Sequence, residues 1–119
     1  MSPERILVVD DAPMVRTVTR RMLESGGYEV IEAADAAEAL RLFEQERPRV
    51  VLSDVVMPGM RGTDLARALR AIEPGVAVIL VSGDTGTEPT GASDLFLEKP
   101  FSIDTLLVAV RAALAQPPR

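Results

Sequence analysis

A chain of 119 residues fits one domain, spanning 1-119 with a core from about 5 to 115, large enough to bury most of its unfolded surface without a disulfide or metal staple. Its 18 acidic and 13 basic side chains give a net charge of -5, and it has no Trp, one Tyr and three Phe, so neither a nucleic-acid surface nor a base-stacking platform is expected. With no cysteine and no histidine, thiolate and imidazole metal sites and every histidine-based triad are excluded, which leaves chemistry to carboxylates, hydroxyls and lysine.

Arg5 leads into Ile6-Leu-Val-Val9, apolar at every position, which suits a parallel strand covered on both faces and ends in Asp10-Asp11. No apolar run approaches the roughly 18 residues of a membrane span, and Met1-Ser-Pro-Glu-Arg5 is not a signal segment, so no membrane association and a cytoplasmic location are expected. From Pro13 to about Ser25 the pattern predicts a helix, with Pro13 in the first turn and Gly26-Gly27 closing it. Glu29 to Ala33 is a second strand, and its glutamates mark it as a sheet edge. Asp35-Ala-Ala-Glu38 has the spacing of a capping box, and Ala36, Ala39, Leu40 and Phe43 form the stripe of a helix that ends before Pro48.

The third strand, Val50-Val-Leu-Ser-Asp54, ends in a carboxylate and turns sharply at Pro58-Gly59. An aspartate closing a buried strand requires a chemical reason to be there. Asp64 to about Ile72 predicts a helix with Leu65, Ala68, Leu69 and Ile72 on one face, and Val76 to Val81 a fourth strand ending at Ser82. Leu95 to Leu97 is a short fifth strand ending at Lys99-Pro100. Ser102 caps a last helix with Ile103, Leu107, Val110 and Leu114 inward. Gln116-Pro-Pro-Arg119 cannot continue it and reads as a terminus or the start of a linker.

Alternating strands and helices predict an α/β doubly wound fold, a parallel sheet with right-handed crossovers. With strand two at the edge, the economical order is 2-1-3-4-5, and ligands then bind outside the carboxyl ends of strands one and three, where the order reverses. Asp10, Asp11, Asp54, Ser82 and Lys99 all fall at that end, while strand two contributes nothing to the site. Three carboxylates and one lysine leave a local charge of about minus two, which a divalent cation would cancel; oxygen-only ligands of this kind suit Mg²⁺. A carboxylate nucleophile, a metal, a hydroxyl and a lysine are equipped to accept a phosphoryl group as an acyl phosphate, Lys99 and the metal meeting the charge on the transferring oxygens and Ser82 donating to one of them.

Asp10-Asp11 after an apolar strand, Asp54 followed by Met57-Pro58-Gly59, Ser82 after strand four, and Lys99-Pro100-Phe101 together resemble the receiver domain of bacterial two-component response regulators, over Arg5 to about Ala115. The resemblance implies a flavodoxin-like, CheY-like (βα)5 fold and a phosphorylation switch rather than an enzyme. By this resemblance Asp54 is the phosphoacceptor; Asp11, Asp54 and the main-chain carbonyl of Val56 bind Mg²⁺ directly, and Asp10 mostly through water. Lys99 pairs with the phosphoryl group next to a cis bond to Pro100. Ser82 moves toward the phosphoryl oxygen and Phe96, standing where Tyr is commoner, swings inward behind it. The implied partner is a histidine kinase or histidine phosphotransfer domain, docked along Met14, Val15 and Val18 while Met22 and Leu23 face the core. The family commonly dimerises through the face that includes the helix between strands four and five, and because this chain weakens that helix a monomer or weak dimer is expected.

The chain departs from its relatives between Ser82 and Asp94. Gly83, Gly86, Pro89 and Gly91 interrupt a stretch with almost no apolar stripe, so the helix the family usually places there is expected to be short or absent, and the segment to be a loop that responds to phosphorylation. The Ser82-Gly83 pair resembles receivers attached to hybrid histidine kinases. Val56 and Asp84 would flank the path of a hydrolytic water, and Val56 offers it no side-chain hydrogen bond. A haloacid-dehalogenase-type phosphohydrolase would want a second aspartate two residues after its nucleophile, where Asp54 is followed by Val56 and Asp10 by Ala12. A degenerate receiver acting without phosphate generally lacks one of the groups kept here, and a flavin protein of this topology wants a phosphate-cradling loop where Asp10-Asp11 stand.

Overall fold

The computed structural model describes residues 3–83 and 95–115. Five parallel strands, β1 (Arg5–Val9), β2 (Glu29–Ala33), β3 (Val50–Asp54), β4 (Ala77–Ser82) and β5 (Leu95–Glu98), form one sheet in the order β2-β1-β3-β4-β5. The helices described are α1 (Pro13–Ser25), α2 (Ala36–Glu46), α3 (Gly62–Ile72) and α4 (Ile103–Ala115). The expected short or missing helix between β4 and β5, Asp84 and the segment after Ala115 lie outside the described residues.

Period-2 alternation sorts the inner strands onto two faces. Leu7 and Val9 of β1 join Val51, Val78, Phe43, Leu65 and Leu69 in a core under α2 and α3. Ile6 and Val8 join Leu52, Ile79, Leu23, Leu106 and Val110 in a second core under α1 and α4. Both faces of β1, β3 and β4 are thereby dry, the physical counterpart of their continuous apolar runs, whereas β2 keeps its glutamates because it has a partner on one side alone.

The α2 cap forms, with the Glu38 N–H donating to Asp35 Oδ1 at 2.8 Å, but the Glu38 carboxylate accepts from the Ala34 N–H at 2.8 Å, one residue outside the usual box. Helix α3 starts two residues before Asp64, and Ala66 rather than Ala68 joins Leu65 and Leu69 in its fully buried face. In α4 the Ser102 cap is present, its Oγ accepting from the Thr105 N–H at 3.1 Å. Its buried stripe, however, is Leu106, Val110 and Ala113; Leu107 and Leu114 are partly buried and Ile103 faces solvent. That helix is apolar nearly all round, so periodicity could not choose between adjacent stripes and contact with the sheet does.

Candidate acidic phosphoacceptor site

Strand registry brings the reactive groups together. Val9 lies beside Ser53, Asp54 beside Val81 and Ser82 beside Glu98, so the carboxyl ends of β1, β3, β4 and β5 stop at nearly one level. Asp10 follows β1 and is 6% exposed, its N–H donating to the Ala33 carbonyl at 3.1 Å and its Oδ1 accepting from the Ala12 N–H at 2.9 Å. Asp54 ends β3 and is partly buried, while Asp11 points to solvent. One carboxylate oxygen from each of the three lies within 4.8 Å of the others.

Lys99 closes the cluster. Its N–H donates to the Ser82 carbonyl at 2.8 Å, extending the β4–β5 pairing past the strand end, and its Nζ reaches Asp54 Oδ2 at 3.2 Å and Asp10 Oδ2 at 3.4 Å. The Lys99–Pro100 peptide is cis. Burial pushes the Lys99 ammonium down, but the carboxylates of Asp10 and Asp54 outweigh it and hold the pKa above its ordinary value, so the lysine is cationic at neutral pH. Ser82 is buried at the end of β4.

The donor set fits a hard divalent cation: it is all oxygen, converges from two strand ends, and spans a buried, a half-buried and an exposed carboxylate, which leaves coordination positions facing solvent. Not all the sequence-derived candidates sit in the cluster. Phe96 is half-buried and packs on the core under α2 and α3, and the Val56 side chain is largely exposed. Met14, Val15 and Val18 are exposed on α1, where with Met22, Pro100 and Phe101 they line a groove of about 480 Å³ that has Lys99 in its wall.

Gly62, unremarked in the sequence, bounds the site from below. The chain leaves Asp54, turns at Gly59 with φ +86°, and returns so that the Gly62 N–H donates to the Val55 carbonyl at 2.8 Å. A methyl group on Gly62 would overlap the Asp54 carbonyl oxygen and lie 3.0 Å from Val55 Cα, main-chain atoms that cannot rotate aside. Gly62→Ala is therefore expected to cost about 1–3 kcal/mol in urea unfolding and to displace Asp54 as well. A variant matching the unaltered chain in stability would show that the loop absorbs the methyl group. The sequence signal was a glycine at a helix start lacking a side-chain cap.

A doubly wound sheet with acidic groups and a lysine at its switch point defines a class, and comparison supplies the family. Residues 6–111 match the response regulator receiver domain model. The chain is 41% identical to Response regulator MprA of Mycolicibacterium vanbaalenii over 118 residues, covering 94% of this chain and 51% of that protein. It superposes on the CheY-like receiver domain protein of Methanospirillum hungatei with a TM-score of 0.87 at 34% identity, covering 95% of this chain and 94% of that one. On the receiver domain of the hybrid histidine kinase CckA the TM-score is 0.80 at 38% identity, with 92% and 98% coverage. The chain belongs to the response regulator receiver domain family, the phosphoacceptor modules of two-component signalling. It spans about half the length of the curated relatives it matches. No described helix is long and apolar enough to cross a membrane.

Proposed function

We propose that this receiver takes a phosphoryl group from a phosphohistidine donor onto Asp54 and reports the event by a change of conformation. The observation that carries the reading is the Lys99 ammonium held between Asp54 and Asp10, with Asp11 completing an acidic cluster at the sheet's switch point. In the transfer, an Asp54 carboxylate oxygen attacks phosphorus, the phosphorus–nitrogen bond breaks, and the imidazole leaves with the bonding electron pair and takes up a proton. Lys99 meets charge on the transferring oxygens, and Ser82, at the same level, donates its hydroxyl to one of them. Mg²⁺ held by Asp11, Asp54 and the Val56 carbonyl, with Asp10 mostly through water, would neutralise the cluster and stabilise the same oxygens.

Phe96 is assigned the packing change, since it lies half-buried on β5 three residues before Lys99. Hydrolysis of the acyl phosphate returns Asp54, and Val56 offers the attacking water no side-chain hydrogen bond. The domain acts in the cytoplasm as a monomer or weak dimer and is a switch that assists its own phosphorylation and dephosphorylation. Incubation with Mg²⁺ and acetyl phosphate, or beryllofluoride, is expected to give a stoichiometric adduct by intact mass or fluorine resonance. No adduct at saturating reagent would overturn the reading.

The donor is placed on the exposed apolar face of α1, where Met14, Val15 and Val18 line a groove that reaches Lys99. Val15→Glu or Val18→Glu is expected to slow transfer from the donor protein at least tenfold and to leave acetyl phosphate labelling unchanged. Equal loss with both donors would count against docking there.

A further inference from the structure

Edge strand β2, which on sequence grounds adds nothing to the site, is tied to it through α1. The registered pairs of β1 with β2 end at Val9 and Ala33, and although the Asp10 N–H still donates to the Ala33 carbonyl, the Asp10 carbonyl lies beyond the ladder. It accepts instead from Arg16 Nη1 at 2.7 Å, while Arg16 Nε donates to Glu32 Oε1 of β2 at 3.0 Å. Arg20 Nη1 takes the other Glu32 oxygen at 2.8 Å. The Arg16 and Glu32 side chains are only 18% and 26% exposed, so the pair is screened less than the ion pairs elsewhere on the surface.

The carbonyl that Arg16 holds belongs to the peptide joining Asp10 to Asp11. Fixing that peptide fixes where both carboxylates leave the chain. Asp10 is then held at its N–H by Ala33, at its carbonyl by Arg16, at Oδ1 by Ala12 and at Oδ2 by Lys99. An unpaired guanidinium behind two aspartates would also lower the negative potential that attracts a cation. Glu32 cancels that charge while orienting the fork.

We propose that Arg16 is a positioning residue for the cation site: backed by Glu32, it clamps the Asp10–Asp11 peptide so that the two carboxylates are presented in metal-binding geometry. The inference rests on the Mg²⁺ reading above. Such outer contacts typically carry about 10–100-fold of a metal's affinity.

The test turns on sign. Were Arg16 only a nearby positive charge, removing it would tighten Mg²⁺ binding; as a clamp, its removal weakens binding. Isothermal titration with Mg²⁺ alone is expected to show Arg16→Met about tenfold weaker than the unaltered chain, with Arg16→Lys between them because an ammonium keeps the charge but gathers its donors on one nitrogen, where Arg16 reaches its two acceptors from separate nitrogens of a planar fork. Glu32→Gln is expected to weaken binding too, and to add little in the Arg16→Met background, since the two act as one unit. Should Arg16→Met fail to fold, Arg16→Lys carries the test, since it keeps the charge and removes the fork, and unaltered affinity in it overturns the clamp. Mg²⁺ binding by the unaltered chain with equal or tighter binding by Arg16→Met overturns the clamp alone. No Mg²⁺ binding by the unaltered chain at the highest concentration titrated overturns the metal reading and the clamp with it.

Discussion

Asp54→Asn is expected to abolish the acyl phosphate while leaving a folded domain. The amide has the shape of the carboxylate but lacks the anionic oxygen that must attack phosphorus, so labelling by acetyl phosphate should fall to background by intact mass. Stability should change little, because two effects oppose each other. Lys99 loses one partner at 3.2 Å but keeps Asp10 at 3.4 Å, and Asp54 no longer repels its two acidic neighbours. Lys99 is partly buried and keeps a carboxylate partner, so the opposing effects are expected to leave a small net change in urea unfolding. Mg²⁺ affinity should fall, since one of three anionic ligands is gone. Labelling that persists in Asp54→Asn would move the acceptor to Asp10 or Asp11.

Lys99→Met separates charge stabilisation of the transferring group from metal binding. Without the ammonium, no side chain at this position meets the charge developing on the phosphoryl oxygens, and the rate of labelling by acetyl phosphate should drop by about 10²–10³, the effect of removing one preorganised donor. Mg²⁺ binding should hold or tighten, because the local charge goes from about minus two to minus three. The variant should be less stable in a chelator and recover on adding Mg²⁺, since a ligand bound only by the folded state raises stability by mass action. In the unaltered chain the sign of the pH effect follows from the raised Lys99 pKa. The ion pair contributes fully below the unfolded value of 10.5 and is lost as pH rises through the higher folded value. Retained labelling rate in Lys99→Met would remove the lysine from the transfer step.

The parallel sheet and its order were legible because burial on two faces writes itself as unbroken apolar runs, Ile6 to Val9 and Val76 to Val81, and burial on one writes itself as the glutamates of β2. The candidate site was legible for a related reason: a doubly wound sheet collects strand ends, so any polar residue closing an apolar run falls in the same crevice. The stripe of α4 was not legible, since a helix apolar on most sides has no preferred face until it meets the sheet. The placement of Met14, Val15 and Val18 on the side away from the core was readable, because α1 carries more apolar positions than one stripe can bury.

By itself the sequence determined which residues close the strands, and hence that Asp10, Asp11, Asp54, Ser82 and Lys99 share one end of the molecule. Only the tertiary structure decided what lies behind them: the Lys99 ammonium bridging Asp10 and Asp54, the return of Gly62 against the Asp54 carbonyl, and the grip of Arg16 and Glu32 on the Asp10 carbonyl. Those contacts join residues up to 89 apart in the chain. Local pattern encodes period and termination, but a long flexible side chain or a bare glycine acquires its partner only when the strands and helices around it have packed.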